Sequence, residues 1–186
     1  MFNTKKIKQN IIKKKLYIPL LGSSGAGRTI LSGVYLGSDQ YCNNLSTIGV
    51  DEKRKNVIMK DGENILVILT DTSGQERFKA ITLKTLPTAS GVGIFFNICS
   101  RKSYEEVQEW YNNVRENYSF HIVLFSWKWD IIDKREITRN EVEEFSKKNI
   151  PYFETSAKNK INVNEGFEKL ANDAYEYEKK EKYGRR

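Results

Sequence analysis

A chain of 186 residues with 39% hydrophobic content and three prolines holds enough apolar material for one folded domain, which excludes a disordered polymer. Two distant cysteines and one histidine exclude a disulfide framework and a structural zinc site, and no run of about 20 apolar residues is present to span a membrane. The net charge of +7 is concentrated at the ends, in Lys5, Lys6, Lys8, Lys13, Lys14 and Lys15 and again in Lys179, Lys180, Lys182, Arg185 and Arg186.

Such ends read as solvated tails that can be drawn loosely to anionic membranes, and charge alone does not argue for a nucleic-acid partner. The opening residues Met1 to Lys5 lack the apolar core of a secretory signal, so a cytoplasmic location is expected.

Residues 1–15 read as a basic flexible leader. Leu16–Leu21 is the first strand, although Pro19 inside it removes one ladder hydrogen bond. A glycine-rich turn follows, then a helix from about Thr29 to Leu36. Turn formers fill 37–49. Val57–Met59 and Ile65–Leu69, separated by Lys60-Asp61-Gly62-Glu63, read as a hairpin with an Asp-Gly turn. Ile65–Leu69 is apolar on both faces, as in a buried central strand.

Residues 74–88 predict a loop with a short helix. Gly91–Ile98 is another doubly apolar strand. Ser103 and Glu106 suggest a capping box for a helix bearing Tyr104, Val107, Tyr111 and Val114. His121–Phe125 is the next strand, and its histidine reads as structural. Thr138 with Glu141 caps a further helix, Tyr152–Thr155 is a short strand, and Asn162 with Glu165 caps the last helix. Strands alternating with helices predict a parallel α/β sheet covered on both faces, with ligands at the carboxyl ends of the strands.

Two loops carry chemistry in their own residues. Gly22-Ser23-Ser24-Gly25-Ala26-Gly27-Arg28-Thr29 has the spacing of a phosphate-binding loop, G-x-x-x-x-G-K-[ST], with Arg28 in the lysine position. Its glycines let backbone N–H groups turn toward phosphate oxygens, the following helix adds its positive end, and the Thr29 hydroxyl is placed to ligate Mg²⁺. A Gly/Ser turn before a helix is also ordinary loop chemistry. Asp71-Thr72-Ser73-Gly74-Gln75-Glu76 follows an apolar strand, where an acid can hold Mg²⁺, although Asp-x-x-Gly is by itself a common turn.

Together with Ser46-Thr47-Ile48-Gly49-Val50-Asp51 and Glu154-Thr155-Ser156-Ala157-Lys158, these stretches resemble the small GTPases of the Ras superfamily, and Ser46–Asp51 and Asp71–Phe78 resemble its Rab branch. The likeness spans about residues 16–178. It divides the chain into a leader (1–15), a GTPase domain (16–178) and a basic tail (179–186).

The resemblance implies a three-layer P-loop NTPase fold, with a six-stranded, mostly parallel sheet flanked by helices. It implies a GTP/GDP switch in vesicle trafficking that slowly hydrolyses GTP to GDP with Mg²⁺. It also implies guanine nucleotide as ligand, effector and regulatory proteins as partners, and peripheral association with endomembranes; a monomer is expected. Ser24, Gly25, Ala26, Gly27, Arg28, Thr29 and Ile30 would wrap the phosphates. Thr29, Thr47 and Asp71 would hold Mg²⁺, Thr47 and Gly74 would sense the terminal phosphate, and Gln75 would position the attacking water. Lys128, Asp130, Ser156, Ala157 and Lys158 would contact the base.

The departures matter as much. Arg28 replaces the phosphate lysine with a longer, planar, forked cation. Asn-Lys-x-Asp becomes Trp127-Lys128-Trp129-Asp130, which loses an asparagine that ties the base to the loops. Trp127 and Trp129 read as packing residues rather than a stacking platform. The aromatic that packs on guanine falls at Gln40, beside Tyr41. The Rab aromatic triad that meets effectors falls at Glu52, Thr70 and Thr85. The chain as given carries no prenyl signal after Cys99. The alternative reading is a pseudo-GTPase, an interaction module with weak nucleotide binding or none.

Overall fold

The computed structural model describes residues 14–38, 50–72, 79–128 and 130–183. Their six strands form one sheet, flanked by five α-helices in a three-layer α/β arrangement. In chain order the elements are β1 (Lys14–Leu21), α1 (Arg28–Tyr35), β2 (Val50–Ile58), β3 (Asn64–Thr72), α2 (Lys79–Thr85), β4 (Gly91–Asn97), α3 (Arg101–Arg115), β5 (His121–Trp127), α4 (Arg139–Ser146), β6 (Tyr152–Glu154) and α5 (Val163–Tyr183). Spatial order is β2-β3-β1-β4-β5-β6, with β2 antiparallel to β3 and every other pairing parallel.

Each sheet face has its own core. On one, Leu16, Ile18 and Leu20 of β1 and Phe95 and Phe125 of β4 and β5 pack under α1 and α5. Phe95 and Phe125 stack at 4.5 Å, and Phe167 of α5 lies 5.1 Å from Phe125. On the other, Leu21, Ile94, Phe96, Ile122 and Leu124 meet Val107, Trp110 and Val114 of α3 and Val142 of α4. The stripe Phe167, Leu170, Ala171, Ala174, Tyr175 on α5 is buried throughout. Each large apolar side chain placed in these layers contributes roughly 1.5–3 kcal/mol.

Four expectations are corrected. The β2–β3 hairpin turns through Asp61-Gly62 as expected, but Met59 belongs to the loop and not to the strand. β2 starts at Val50, and a five-residue loop, 59–63, joins it to β3, with Met59 N–H donating to the Glu63 carbonyl at 2.9 Å and Gly62 at φ 84°. The first six residues of β2, Val50-Asp51-Glu52-Lys53-Arg54-Lys55, hide their strand character because they form a charged edge strand rather than an apolar one.

The helix after β4 starts at Arg101 and is capped by Ser100, whose hydroxyl accepts from the Ser103 N–H at 3.3 Å. Ser103 is instead buried and accepts from the Asn97 N–H at 3.0 Å. β1 begins two residues before Leu16, at Lys14, because Lys14 and Lys15 pair with Ile65 and Leu66 of β3. β5 continues past Phe125 to Trp127, in register with β4 up to Asn97.

Pro19 is accommodated because β1 meets β4 only from Leu20 onward. Thr138 and Glu141 form both bonds of their capping box. Asn162, just before α5, has φ 55°, and its side-chain amide donates to the Glu154 carbonyl at 2.8 Å.

Candidate functional site

β1 sits between β3 and β4, so connections from its carboxyl end diverge to both sides and leave a crevice there. The loop after β1 occupies this crevice. Gly22 and Gly27 adopt positive φ (145° and 91°), and neither has room for a Cβ. A Cβ at Gly22 would lie 2.4 Å from the Phe95 carbonyl oxygen. Gly25, at φ 75°, faces open space with Ser24, while Ala26 and Gly27 are buried. The Leu31 N–H donates to the Gly27 carbonyl at 2.9 Å, starting α1 at the loop's last glycine. Ile30 is half-buried against the α1/α5 core.

Arg28 and Thr29, the first residues of α1, meet the carboxylate of Asp71 on β3. Thr29 Oγ1 donates to Asp71 Oδ2 at 2.5 Å. Arg28 is only 6% exposed; its Nη1 donates to the Leu20 carbonyl at 3.4 Å and its Nε lies 4.0 Å from Asp71 Oδ1. The guanidinium is thus drawn into the fold behind the loop. Burial lowers the Arg28 pKa, against the opposing pull of Asp71 and Glu106.

Burial likewise raises the pKa of Asp71, while the Thr29 hydroxyl, Arg28 and Lys53 act to lower it. Asp71 Oδ1 is buried and accepts no hydrogen bond. An orphaned carboxylate oxygen beside a threonine hydroxyl is a hard-oxygen set that suits Mg²⁺. These residues therefore fit the ion that the resemblance implies.

The second wall comes from β5 and the loop after β6. The Trp127 side chain lies against Gly27, where an added Cβ would be 2.6 Å from the ring's Cγ, and it packs against the α1/α5 core. It is a packing residue, as its sequence context suggested. Lys128 follows at φ 69° and places Nζ 4.7 Å from the Trp127 ring centroid. Asp130 Oδ1 accepts from Ser156 Oγ at 2.6 Å, and Ser156 Oγ also accepts from the Asn159 N–H at 3.1 Å. Ser156 and Ala157 are buried, and Lys158 is exposed.

The expected phosphate, metal and base residues that are described thus converge at one end of the sheet. Thr47, Gly74 and Gln75, and with them Gln40, Tyr41 and Trp129, lie outside the described residues.

Two of the three expected effector positions are also brought together. Glu52 is directly opposite Thr70 across the β2–β3 ladder, with Arg54 Nη2 3.1 Å from Glu52 Oε2. No aromatic side chain stands at Glu52, Thr70 or Thr85. Sequence reading missed Lys53, whose Nζ donates to the Thr29 carbonyl at 3.0 Å and to Ser32 Oγ at 2.9 Å. Alternation of Lys53, Lys55 and Val57 on one strand face would have pointed to it. Ser103 was missed in the same way; its hydroxyl accepts from Ser23 Oγ at 3.0 Å and joins the glycine loop to α3.

The Ras family model matches residues 17–176 of the chain. Ras-related protein Rab-13 of Rattus norvegicus is 37% identical over 157 residues, which cover 83% of this chain and 77% of the relative. Ras-related protein Rab-10 of Diplobatis ommata is 36% identical over 159 residues, 83% of this chain and 78% of the relative. Ras-related protein Rab-8B of Homo sapiens is 35% identical over 159 residues, 83% and 75% respectively. With that likeness running through the glycine loop, Asp71 and the loop after β6, the chain belongs to the Ras family as a Rab-like small GTPase.

Proposed function

We propose that this chain is a Mg²⁺-dependent GTP/GDP switch with slow GTP hydrolysis, acting with effector and regulatory proteins in vesicle trafficking on endomembranes. The carrying observation is the Thr29–Asp71 contact of 2.5 Å at the foot of a glycine loop that tolerates no Cβ at Gly22 or Gly27. In this reading Ser24 to Ile30 bind the phosphates through their backbone N–H groups. Thr29, Thr47 and Asp71 hold the metal. When bound, Mg²⁺ neutralises phosphate oxygens. Gly74 and Thr47 respond to the terminal phosphate, and Gln75 orients water. The division into leader, GTPase domain and basic tail belongs to the same proposal, although β1 opens at Lys14 and α5 runs to Tyr183, so its edges at residues 15 and 178 fall inside those elements.

Base recognition falls to Asp130, held by Ser156, with Lys128, Ala157 and Lys158 around it. Trp127 contributes packing in place of asparagine hydrogen bonds. Loss of such a polar contact reduces discrimination by roughly 1–3 kcal/mol. We therefore expect weak selection of GTP over ATP and ITP.

The test is release and identification of the nucleotide that co-purifies, followed by competition titrations with GTP, ATP and ITP in Mg²⁺. Guanine nucleotide in the released fraction supports the proposal. No bound nucleotide and no binding at saturating Mg²⁺ would make the chain an interaction module instead. Tight GTP binding with strong rejection of ATP would refute the base argument alone.

A further inference from the structure

Lys53 is a charged side chain at this site that the roles above leave unused. It stands on β2, opposite Leu69 of β3, with its side chain 17% exposed. Its Nζ is held by the Thr29 carbonyl (3.0 Å) and Ser32 Oγ (2.9 Å), and it lies 4.0 Å from Asp71 Oδ2. That same Oδ2 accepts from Thr29 Oγ1. Arg28 Nε stands 4.0 Å from the other carboxylate oxygen. Two cations, one from α1 and one from β2, therefore flank a carboxylate with no solvent exposure. Asp51, exposed and directly opposite Asp71 in the ladder, is the second acid nearby.

We propose that Lys53 is an intramolecular competitor of the divalent ion: its ammonium supplies the countercharge of Asp71 in the metal-free protein and opposes a metal ion arriving at Thr29 and Asp71. Charges about 4 Å apart and largely withdrawn from solvent interact strongly and are poorly screened by salt. The lysine is fixed by two hydrogen bonds to α1, so it stays near the carboxylate instead of swinging into solvent. Because Lys53 belongs to β2, which begins directly after residues 39–49, metal occupancy is coupled to that strand.

The inference rests on the proposed metal role of Thr29 and Asp71, but its test needs no nucleotide. The nucleotide-stripped full chain is titrated with Mn²⁺ alone, free ion being read by electron paramagnetic resonance. Wild type, Lys53→Met and Lys53→Arg are compared, with Lys53→Gln replacing the methionine variant if thermal melting shows that it has not folded. Removing the charge should tighten Mn²⁺ binding about fivefold or more, whereas arginine should stay near wild type. Equal midpoints, no Mn²⁺ uptake by the uncharged variant, or arginine behaving as methionine would overturn the proposal. A GDP titration in saturating Mn²⁺ separates the two readings. Failure of every variant to bind GDP, with the Mn²⁺ difference intact, would refute the switch and leave the role of Lys53 standing.

Discussion

Gly27 and Trp127 show how a single residue pair sets the shape of the site. Gly27 is fixed by two independent demands, a φ of 91° and an indole ring against its Cα. Gly27→Ala meets both penalties at once, and we expect a loss of roughly 2–4 kcal/mol in urea denaturation. Trp127→Ala should cost about 2 kcal/mol, because a half-buried indole leaves a gap that partly collapses or fills with water. In the double variant the clash is gone, so the two losses should sum to less than additivity by about 1 kcal/mol. Strict additivity would mean that ring and glycine do not touch in solution. Trp127→Asn is correspondingly a mixed change: under the proposed function it restores a polar group for base recognition, and it removes the support of the loop.

At the scale of elements, the junction between α3 and α4 is held by charge. Arg101, at the start of α3, pairs with Glu141 of α4, and its N–H donates to Glu136 Oε2 at 2.7 Å. Glu141 is also the third residue of the α4 capping box and accepts from the Thr138 N–H at 2.9 Å. The Arg101 guanidinium first, then the two Thr138 donors, hold the Glu141 carboxyl at about 2 instead of its ordinary 4.5.

A carboxyl whose folded pKa is depressed adds stability above its unfolded pKa and loses it as pH falls through the folded value. The melting temperature should therefore fall between about pH 4.5 and 2 as this group protonates. Glu141→Gln should flatten that part of the profile. An unchanged slope would assign the acid sensitivity to other carboxyls, such as Glu154, which Arg135 and Arg139 hold low against its burial.

Taken whole, the molecule brings the start of β1 beside the last turns of α5. Lys14, which opens β1, and Lys179, near the end of α5, each place Nζ 5.0 Å from the ring centroid of Tyr175. Lys179 also pairs with Asp61 of the β2–β3 loop at 3.0 Å. Lys14 of the first basic cluster and Lys179 of the last thus share one side of the domain. Each lysine or arginine near an anionic surface adds about 1 kcal/mol of attraction. We expect flotation with anionic vesicles at low salt and its loss at physiological salt. Binding that survives high salt would point to an apolar anchor instead.

The proposed hydrolysis is also tested on the whole molecule. Under saturating GTP and Mg²⁺, Gln75→Leu should slow single-turnover hydrolysis by about tenfold or more if this side chain orients water. Equal rates would leave Gln75 without a catalytic role.

The sequence alone determined what depends on local order. The glycine loop, the apolar runs of β3, β4 and β5, the Thr138 cap and the stripe on α5 are legible because backbone freedom, two-faced burial and helical period act within a few residues. Ordered motifs along the chain pointed to the family for the same reason. β2 was only half legible, because an edge strand with charged residues at most of its positions has no apolar alternation to read.

Which groups share a charge environment depends on how the elements assemble in space. Lys53, Arg28, Thr29 and Asp71 come from three elements, and Trp127 meets Gly27 across 100 positions of sequence. Electrostatic energy and steric contact depend on distance in space. The strand order β2-β3-β1-β4-β5, which no local pattern encodes, sets those distances.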